Sequence, residues 1–339
     1  MAKVSIAVAV YNASKYIERN VRRLYEQTLD DIEILLVDDC TQDDSIEIAM
    51  RVLEEYPHRK KQVRVIHHER NLGIAETKKD GYLLATGEYV VVIDDDDYID
   101  VHYAEMMYDK AVEEGSDMVI CDWYDVSEKG QSICSMFSND MEWSEDNVRN
   151  GIMNRVVTPV LWCKLISKNV VNNSGILWPK NGLGEDTVLS PEFAYYSKKI
   201  SHVQYPLYYY TLHYDSVSNV RTKTEEEAMK LYNDFKGNVN ILMEFYQREG
   251  LIEKYALGVF INKLRTKNRL RFYIHKRKYR RLWIETYPEI NKILLIGSFY
   301  YKPSKRNYLW FFALVMGLSA NKKLCQHIQY WVPSCRGVI

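Results

Sequence analysis

Two hydrophobic periodicities alternate along the first 125 residues of this 339-residue chain, and this alternation constrains the fold more than any other feature. Short aliphatic runs of the kind that a buried parallel strand requires occur at Val4–Val10, Ile32–Val37, Val63–His67, Tyr89–Ile93 and Met118–Cys121. Helical patterns lie between these runs, at about Lys15–Gln27, Ser45–Tyr56, Ile74–Ala85 and Tyr103–Glu114. Strands alternating with helices predict an α/β fold whose open, parallel sheet is covered by helices on both faces.

The charge of the chain is unevenly divided, although the formal net charge is only −1. Residues 221–339 carry 23 Lys and Arg against 9 Asp and Glu, which leaves 22 against 37 for residues 1–220. With 47% hydrophobic and 27% charged residues, the composition is that of a folded globular protein and excludes disordered and collagen-like classes. We therefore expect an acidic N-terminal part and a basic C-terminal part that meet different partners.

The six cysteines are widely spaced and include no CxxC pair, so we expect reduced thiols rather than a zinc site or a disulfide scaffold. The N-terminus passes from a short apolar stretch directly into strand and helix patterns, and we expect no export signal. The longest apolar run, 308–318, is shorter than the ~20 residues that span a bilayer as a helix. Together these features predict a cytoplasmic protein that does not cross the membrane.

Polar residues follow three of the predicted strands, at the sheet edge where ligands bind in such folds. Tyr11 and Asn12 follow the first strand, Asp38 and Asp39 the second, and four consecutive aspartates, 94–97, the fourth. Clustered carboxylates repel one another unless a cation neutralises them, and Mg²⁺ or Mn²⁺ uses one or two carboxylates together with the phosphates of a nucleotide. The pattern therefore indicates diphosphate handling. The alternative is a set of solvated turns that cap the helices that follow.

Four ordered motifs resemble those of family 2 glycosyltransferases with the GT-A fold, namely residues 5–12 (SIAVAVYN), 36–41 (LVDDCT), 71–75 (NLGIA) and 85–89 (ATGEY) leading into 94–97. The resemblance covers at least residues 3–125 and continues more weakly to about 220. It implies a GT-A type open, mostly parallel sheet flanked by helices. It also implies inverting transfer of a sugar from a nucleotide-diphosphate donor, expected to be a UDP-sugar, with Mn²⁺ or Mg²⁺ on the diphosphate. The expected acceptor is a hydroxyl of a glycan or lipid-linked molecule in cell-surface polysaccharide synthesis.

The resemblance assigns residues to the nucleotide. It places Val10, Tyr11 and Asn12 at the donor, with the Tyr11 ring against the base, since an aromatic face stacks on a base. It also implies that Asp39 accepts a hydrogen bond from a base N–H, because a carboxylate is an acceptor only.

The resemblance also assigns the diphosphate and its metal. Asp94 and Asp96 match the ends of the family's Asp-x-Asp, which implies that Asp96 binds the metal and that Asp94 lies near the ribose or the metal. Asp95 lies between them and is also assigned to the donor. Because four aspartates follow one another, the match to the Asp-x-Asp motif is open by one residue. His213 is a candidate for the metal or phosphate, although a lone histidine is more often structural. Lys78 stands where the family often has an arginine facing the diphosphate; the alternative is a solvated helix residue.

A general base is required because a hydroxyl attacks an anomeric carbon poorly until its proton is removed. Glu185 and Asp186 resemble the family's Glu-Asp pair, with Asp186 as the base and Glu185 as its competitor; a helix cap is the alternative for this pair. Trp162 and Lys164 lie in a segment that resembles the acceptor side. The Trp162 ring could stack on a sugar or could belong to the core.

Beyond residue 220 only physical arguments apply. Residues 225–250 and 251–275 predict two helices, and 263–281 contains ten basic residues and no acidic one. Anionic lipid headgroups attract such a segment by about 1 kcal/mol per charge, so we expect peripheral docking on the inner face of the membrane. The apolar segment 308–318 either lies in the interface or is a buried helix. We expect no nucleic-acid partner, because no recognition fold accompanies the basic run.

The sequence thus predicts three parts: a nucleotide-sugar-binding half at 1–125, an acceptor-side half at 126–220 and a basic helical C-terminal extension at 221–339. Two other functions stay open. A nucleotidyltransferase would carry a Gly-rich, basic loop after its first strand, where this chain has YNAS at 11–14. A catalytically silent nucleotide-sugar-binding scaffold would keep the base pocket but lack the metal carboxylates or the base.

Overall fold

The computed structural model describes residues 2–127, 130–134, 144–180, 182–212 and 224–291. Contacts divide the chain into two compact units. The first consists of Met1–Met153 and Val157–Tyr214, and the second of Asn154–Val156 and Asp215–Ile339. The first unit contains the sheet that the sequence predicts. The three-part division at residues 125 and 220 stays a prediction.

One sheet runs through the first unit. Its strands are β1 (Val4–Val10), β2 (Ile32–Asp38), β3 (Val63–His67), β4 (Tyr89–Asp94), β5 (Tyr98–Ile99), β6 (Met118–Ser127), β7 (Gly130–Cys134), β8 (Lys164–Ser167) and β9 (Ile200–Thr211). Their order across the sheet is β3-β2-β1-β4-β8-β6-β9-β5, and β7 pairs with β6. The neighbours among β1 to β4 are parallel, as are β6 and β9. The predicted α/β class with a mostly parallel sheet is confirmed.

Helices connect the strands and cover the sheet. In the first unit they are α1 (Ile17–Tyr25), α2 (Ser45–Leu53), α3 (Ile74–Leu84), α4 (Tyr103–Glu114), α5 (Glu145–Met153), α6 (Lys168–Val171) and α7 (Asp186–Tyr196). The four helices predicted before residue 125 are confirmed, with ends that differ by at most three residues. The sheet is covered on both faces because every residue of β1 and β2 is buried.

The strand β8 departs from the sequence prediction. It lies antiparallel between β4 and β6, so the predicted strand at Met118 does not pair with β4. The four residues KLIS begin with a lysine, and so short a segment has neither the length nor the β-branched pattern of a predicted strand. The neighbouring strands among β1 to β4 are therefore parallel, and the sheet becomes mixed where β4 pairs with β8.

The register of β1 with its neighbours brings the polar strand ends together. Val10 lies opposite Asp38 of β2, and Ala9 lies opposite Asp94 of β4. At the other end of β1, a Cβ on Gly87 would lie 2.8 Å from the backbone nitrogen of Ser5. Glycine at this position therefore permits the close approach that sets the register of β4 against β1.

In the second unit, the described residues form the helices α8 (Glu225–Arg248), α9 (Ala256–Asn268) and α10 (Arg277–Glu285). The helix α8 begins with a capping box, in which the Thr224 hydroxyl accepts from the Glu227 backbone and the Glu227 carboxylate accepts from the Thr224 backbone. The two helices predicted after residue 220 are confirmed, although α9 is shorter than expected. A small core joins these helices, and its buried members are Tyr232, Leu270, Ile274, Tyr279 and Trp283.

Much of the basic run at 263–281 is engaged inside the second unit. Lys263 lies 2.6 Å from a Glu289 carboxylate oxygen, and the Arg269 guanidinium lies 3.8 Å from the centroid of the Phe235 ring. Lys267 is buried. Further ion pairs join Lys276 to Glu225 and Arg281 to Glu285. The density of positive charge is thus partly accounted for by contacts within this unit, and the membrane role stays a prediction.

Two expectations concern the membrane: a role for the apolar segment 308–318, and a chain that does not cross the bilayer. The apolar segment 308–318 lies outside the described residues. Among the helices that the structure describes, none is both long enough and apolar enough to cross a bilayer.

Lys267 predicts a pH dependence of stability. Burial lowers its pKa to about 8, so the native state loses this proton at a lower pH than the unfolded chain. Below pH 8 the lysine is charged in both states, and its burial in the native state is unfavourable. The free energy of unfolding increases as the pH rises through 8 and levels off near the ordinary pKa of lysine. We expect this gain to be about 1–3 kcal/mol. Lys267→Met removes this pH-dependent gain. The free energy of unfolding of the variant minus that of the native chain should therefore decrease from pH 7 to pH 10, which denaturant titrations would measure. A difference independent of pH contradicts the assignment.

Candidate active site

The loops after β1 and β4 are joined by a hydrogen bond. The Tyr11 backbone N–H donates to Asp95 Oδ2 at 2.9 Å, while the Tyr11 side chain is 46% exposed. The Val10 carbonyl accepts from the Asp39 backbone N–H at 3.0 Å. The predicted nucleotide residues at the end of β1 therefore lie beside both Asp39 and the aspartate run, with the Tyr11 ring accessible to a ligand.

Asn12 links the loop after β1 to the loop after β2. Its backbone has φ of 53°, a left-handed conformation that asparagine tolerates better than most residues. The Asn12 N–H donates to Thr41 Oγ1 at 2.7 Å, and its Oδ1 accepts from the Gln42 N–H at 3.0 Å. These contacts give Asn12 a defined role in shaping the site edge, and its contact with a nucleotide stays a prediction.

The Asp39 carboxylate is bound at the start of α3. Its Oδ1 accepts from the Leu72 N–H at 2.7 Å and its Oδ2 from the Gly73 N–H at 2.8 Å. Gly73 has φ of 88°, which only glycine adopts readily, and the first N–H groups of a helix favour an anion. The NLG motif therefore serves to bind the Asp39 side chain, which is 4% exposed.

Lys78 joins two of the predicted functional groups. Its Nζ lies 2.7 Å from Asp94 Oδ1 and 2.9 Å from Glu185 Oε1. Lys78 comes from α3, Asp94 from the end of β4, and Glu185 from the residue before α7. One ammonium group thus brings the aspartate run and the Glu185-Asp186 pair into the same site, although these segments are far apart in sequence.

The alternative that Lys78 is a solvated helix residue is wrong, because the residue is only 8% exposed. Burial by itself disfavours the charged ammonium, but Asp94 and Glu185 outweigh it and raise the pKa of Lys78 well above its usual value. Lys78 is therefore a permanent cation at the centre of the site. Its expected contact with a diphosphate stays a prediction.

The four aspartates have different surroundings. Asp97 is buried, and its carboxylate accepts from the Tyr208 hydroxyl and the Thr211 backbone N–H, both at 2.7 Å. Burial together with repulsion from Asp94 and Asp96 raises the pKa of Asp97 well above its usual range. For Asp95, burial and the same two neighbours raise the pKa to about 8. Asp97 thus supports the loop, while Asp94 and Asp96 remain partly exposed at its surface.

The same loop suits a divalent cation of the kind predicted. Among the described residues, no group of three or more His, Cys, Asp and Glu side chains is arranged to hold a metal by itself. Mg²⁺ and Mn²⁺ need fewer protein ligands, since one or two carboxylates suffice when a bound diphosphate and water complete the shell. Asp94 and Asp96 fit this requirement by their chemistry, because both are carboxylates that remain partly exposed on the loop. His213 lies outside the described residues.

Glu185 and Asp186 are placed differently. Glu185 is 6% exposed, and besides its contact with Lys78 its Oε2 accepts from the Gly184 N–H at 3.1 Å. Asp186 is the first residue of α7 and is partly exposed. A carboxylate that receives a proton from a substrate must be accessible to it, which favours Asp186 over Glu185 as the base.

The acceptor-side residues Trp162 and Lys164 lie in the core. The Trp162 ring is 6% exposed and stacks on Tyr208 at 4.2 Å between centroids, so the core alternative describes its place in this structure. Lys164 is fully buried, and its ammonium donates to the carbonyl oxygens of Thr158 and Val160. Both side chains shape the segment at 158–165, and their contact with an acceptor stays a prediction.

Sequence reasoning overlooked three side chains that support the site. Asn20 donates to the carbonyl oxygens of Asp94 and Asp97, at 3.1 and 3.0 Å. Arg19 donates to the Asp96 carbonyl at 2.9 Å. His68 contacts Asp39. A signal was available for His68, because it directly follows β3 and the carboxyl ends of parallel strands share one edge. The two α1 residues carry no such signal.

Comparison with known proteins identifies the family. Residues 5–151 match the family described as Glycosyl transferase family 2. EpsH of Bacillus subtilis (strain 168), a glycosyltransferase by its name, is 31% identical over 266 residues, which are 76% of this chain and 74% of EpsH. The cholesterol galactosyltransferase of Borreliella burgdorferi is 25% identical over 264 residues, covering 74% of this chain and 70% of that protein. The chain belongs to glycosyl transferase family 2.

A solved structure with the same fold extends this comparison. Residues 1–349 of Staphylococcus aureus TarS, in complex with UDP-GlcNAc, superpose with a TM-score of 0.59 at 17% identity. The match covers 97% of this chain and 92% of that structure. At this level of identity the likeness shows the fold, which is the GT-A fold expected from the sequence.

The Lys78 contacts predict a large effect on stability when the charge is removed. Lys78→Met leaves the buried Glu185 and the partly exposed Asp94 without their cation, and we expect a loss of about 3–5 kcal/mol in the free energy of unfolding. Lys79→Met is the matched control, because Lys79 makes a partly exposed ion pair with Glu76 on the same helix; its effect should stay within about 0.5 kcal/mol. Denaturant titration measures both.

The double variant Lys78→Met with Glu185→Gln tests the pairing directly. Removing the charge of the partner should recover part of the lost stability, so that the two changes are less than additive by about 1 kcal/mol or more. Strict additivity would mean that the contact between Lys78 and Glu185 contributes nothing to the fold.

Proposed function

We propose that this family 2 glycosyltransferase is an inverting enzyme that transfers a sugar from a UDP-sugar to a hydroxyl of a glycan or lipid-linked acceptor. One observation carries the proposal. Lys78 contacts both Asp94, the carboxylate predicted to lie near the donor ribose or the metal, and Glu185, which together with Asp186 forms the segment predicted to supply the base. Single inversion requires a donor site and one base on opposite sides of the anomeric carbon, with no covalent intermediate.

The donor side of the proposal rests on the exposed aromatic ring at Tyr11 and the fixed carboxylate of Asp39. A uracil base offers a flat face for stacking and an N3–H donor for a carboxylate acceptor. The crystal structures of TarS, whose fold this chain shares, contain UDP-GlcNAc and UDP. These features support a uridine nucleotide as the donor's leaving group.

The diphosphate side rests on Lys78 and on the partly exposed pair Asp94 and Asp96. A bound Mn²⁺ or Mg²⁺ would be held by these two carboxylates and would neutralise charge on the diphosphate as the sugar leaves. Lys78 already compensates part of the negative charge of Asp94, and its third N–H is suited to a phosphate oxygen. The chain's own contribution is therefore a fixed cation and a pair of carboxylates around the diphosphate.

The acceptor side rests on Asp186. Its carboxylate is partly exposed at the first turn of α7. Glu185, the residue before this helix, is held by Lys78, which also contacts Asp94, so Asp186 directly follows a residue that is fixed beside the aspartate run. Asp186 would take the proton of the acceptor hydroxyl as the hydroxyl oxygen attacks the anomeric carbon, and the nucleotide diphosphate leaves.

A role in cell-surface polysaccharide synthesis at the membrane completes the proposal. Among the relatives, the Borreliella enzyme is named for a sterol acceptor, which supports a lipid-linked or membrane-associated acceptor. The exposed basic residues at the start of α10, such as Arg277, would contact anionic headgroups.

The base assignment predicts a separation of binding from rate. Asp186→Asn should reduce the transfer rate by about 10²- to 10⁴-fold while UDP affinity stays nearly unchanged, because only proton acceptance is lost. Asp146→Asn is the control, since Asp146 lies in the first turn of α5 and is exposed. Transfer assays and calorimetry with UDP measure the two properties. Full activity in Asp186→Asn would transfer the role to another group.

The metal assignment predicts that nucleotide binding depends on the metal through Asp96. In the native chain, Mn²⁺ should strengthen UDP binding, and Asp96→Asn should reduce that effect by about tenfold or more. Asp109→Asn, an exposed change on α4, serves as the control. Calorimetry with UDP in the presence and absence of Mn²⁺ measures the effect. Identical UDP affinities with and without Mn²⁺ in the native chain would count against a metal at this site.

A further inference from the structure

A buried histidine lies between two carboxylates behind the predicted base-binding residue. The Nδ1 atom of His68 lies 2.8 Å from Asp39 Oδ1, and its Nε2 atom lies 3.1 Å from Asp80 Oδ2. The side chain of His68 is 6% exposed and that of Asp39 is 4% exposed, while Asp80 on α3 is 32% exposed. The imidazole therefore connects a nearly solvent-free carboxylate to one at the surface.

The hydrogen bonds of Asp39 leave little acceptor capacity. Oδ1 accepts from the Leu72 N–H and faces His68, while Oδ2 accepts from the Gly73 N–H. A carboxylate has about four lone-pair sites, two on each oxygen. Oδ1 is thus fully used, and the remaining site is on Oδ2. The three contacts also hold the carboxylate in a single orientation.

We propose that His68 is a positioning residue for nucleobase recognition, which holds the Asp39 carboxylate so that Oδ2 accepts an N–H from a uracil-type base and excludes cytosine. This inference rests on the proposed function, in which Asp39 contacts the base. Uracil offers a hydrogen-bond donor at N3, whereas cytosine offers a lone pair at the same place. A fixed acceptor therefore favours uracil, and an acceptor free to turn away discriminates less.

Asp80 completes the arrangement. It contacts the ring nitrogen that points away from Asp39, and so restrains rotation of the imidazole in the same way that carboxylates orient metal-binding histidines. A neutral imidazole has one ring N–H and can donate to only one of the two carboxylates, while the imidazolium can donate to both. Because Asp80 belongs to α3, the helix that also supplies Lys78, one helix supports both the base-binding carboxylate and the predicted diphosphate contact.

The chain offers a matched control in the preceding residue. His67 makes an equivalent contact, with its Nδ1 atom 2.8 Å from Asp38 Oδ2, but its side chain is 62% exposed. Asp38 is not assigned to the nucleotide. A change at His67 therefore alters the same kind of histidine–aspartate pair, on the same strand end, without touching Asp39.

Two substitutions separate the two ring nitrogens of His68. In His68→Asn the side-chain amide takes the place of Nδ1 and can still donate to Asp39, whereas in His68→Gln it takes the place of Nε2 and reaches only toward Asp80. The measurement is the ratio of the CDP and UDP dissociation constants, determined by calorimetry at one pH and one Mn²⁺ concentration. The set contains the native chain, both His68 variants, His67→Gln, Asp39→Asn and Asp80→Ala.

We expect the native chain to bind UDP about 10- to 100-fold more tightly than CDP. His68→Asn and His67→Gln should keep this ratio within about threefold, and His68→Gln and Asp39→Asn should reduce it about tenfold or more. Asp80→Ala, at a partly exposed position, should reduce it several-fold. Thermal unfolding of each variant with and without UDP identifies any loss of the UDP preference that comes from misfolding. If a His68 variant is misfolded, the ratio of the CDP and UDP dissociation constants of Asp80→Ala decides.

The outcomes distinguish this inference from the proposed function. If the native chain shows no preference for UDP, the base contact of Asp39 fails and the role of His68 fails with it. If Asp39→Asn loses the preference but His68→Gln and Asp80→Ala keep it, Asp39 reads the base without His68 and only the present inference is overturned. Equal losses in His68→Asn and His68→Gln also overturn it, because donation to Asp39 would then not be the property that matters.

Discussion

The ammonium of Lys78 is the interaction on which the site depends. Four consecutive aspartates and a buried glutamate would repel one another if they approached without a cation. Lys78 contacts one member of each group, at 2.7 Å for Asp94 and 2.9 Å for Glu185, and it is shielded from solvent. It therefore holds the end of β4 and the start of α7 beside each other. Lysine at this position has a structural function as well as the diphosphate contact predicted for it.

Around this cation, the sequence motifs correspond to hydrogen bonds between loops. The loop after β1 is joined to the aspartate run through Tyr11 and to the loop after β2 through Asn12. The NLG motif binds Asp39 through two backbone N–H groups. Each loop is thus fixed by a partner in another loop rather than by its own conformation. Such a site is organised before a ligand arrives, which reduces the entropy lost on binding.

The sequence anticipated β1 to β4, the start of β6, the four helices before residue 125 and the polar strand ends, because these follow from local hydrophobic period and from the direction of parallel strands. It did not anticipate β8, whose four residues carry too little pattern. Trp162 had two open interpretations, and its burial against Tyr208 matches the core alternative. His68 was overlooked although it directly follows β3, and only its contact with Asp80 on α3 had no signal in the local pattern. The basic run was read as a surface, whereas the second unit uses several of its charges internally.

The amino-acid sequence by itself determined the α/β class and which residues stand at the ends of the strands. The tertiary structure alone decided which of these residues meet. Lys78 and Glu185 are 107 positions apart, and nothing in the local pattern of either segment indicates the other. The physical reason is that hydrophobic periodicity reports which face of an element is buried, whereas the pairing of two charges depends on the distance and direction of side chains brought together by the packing of whole elements.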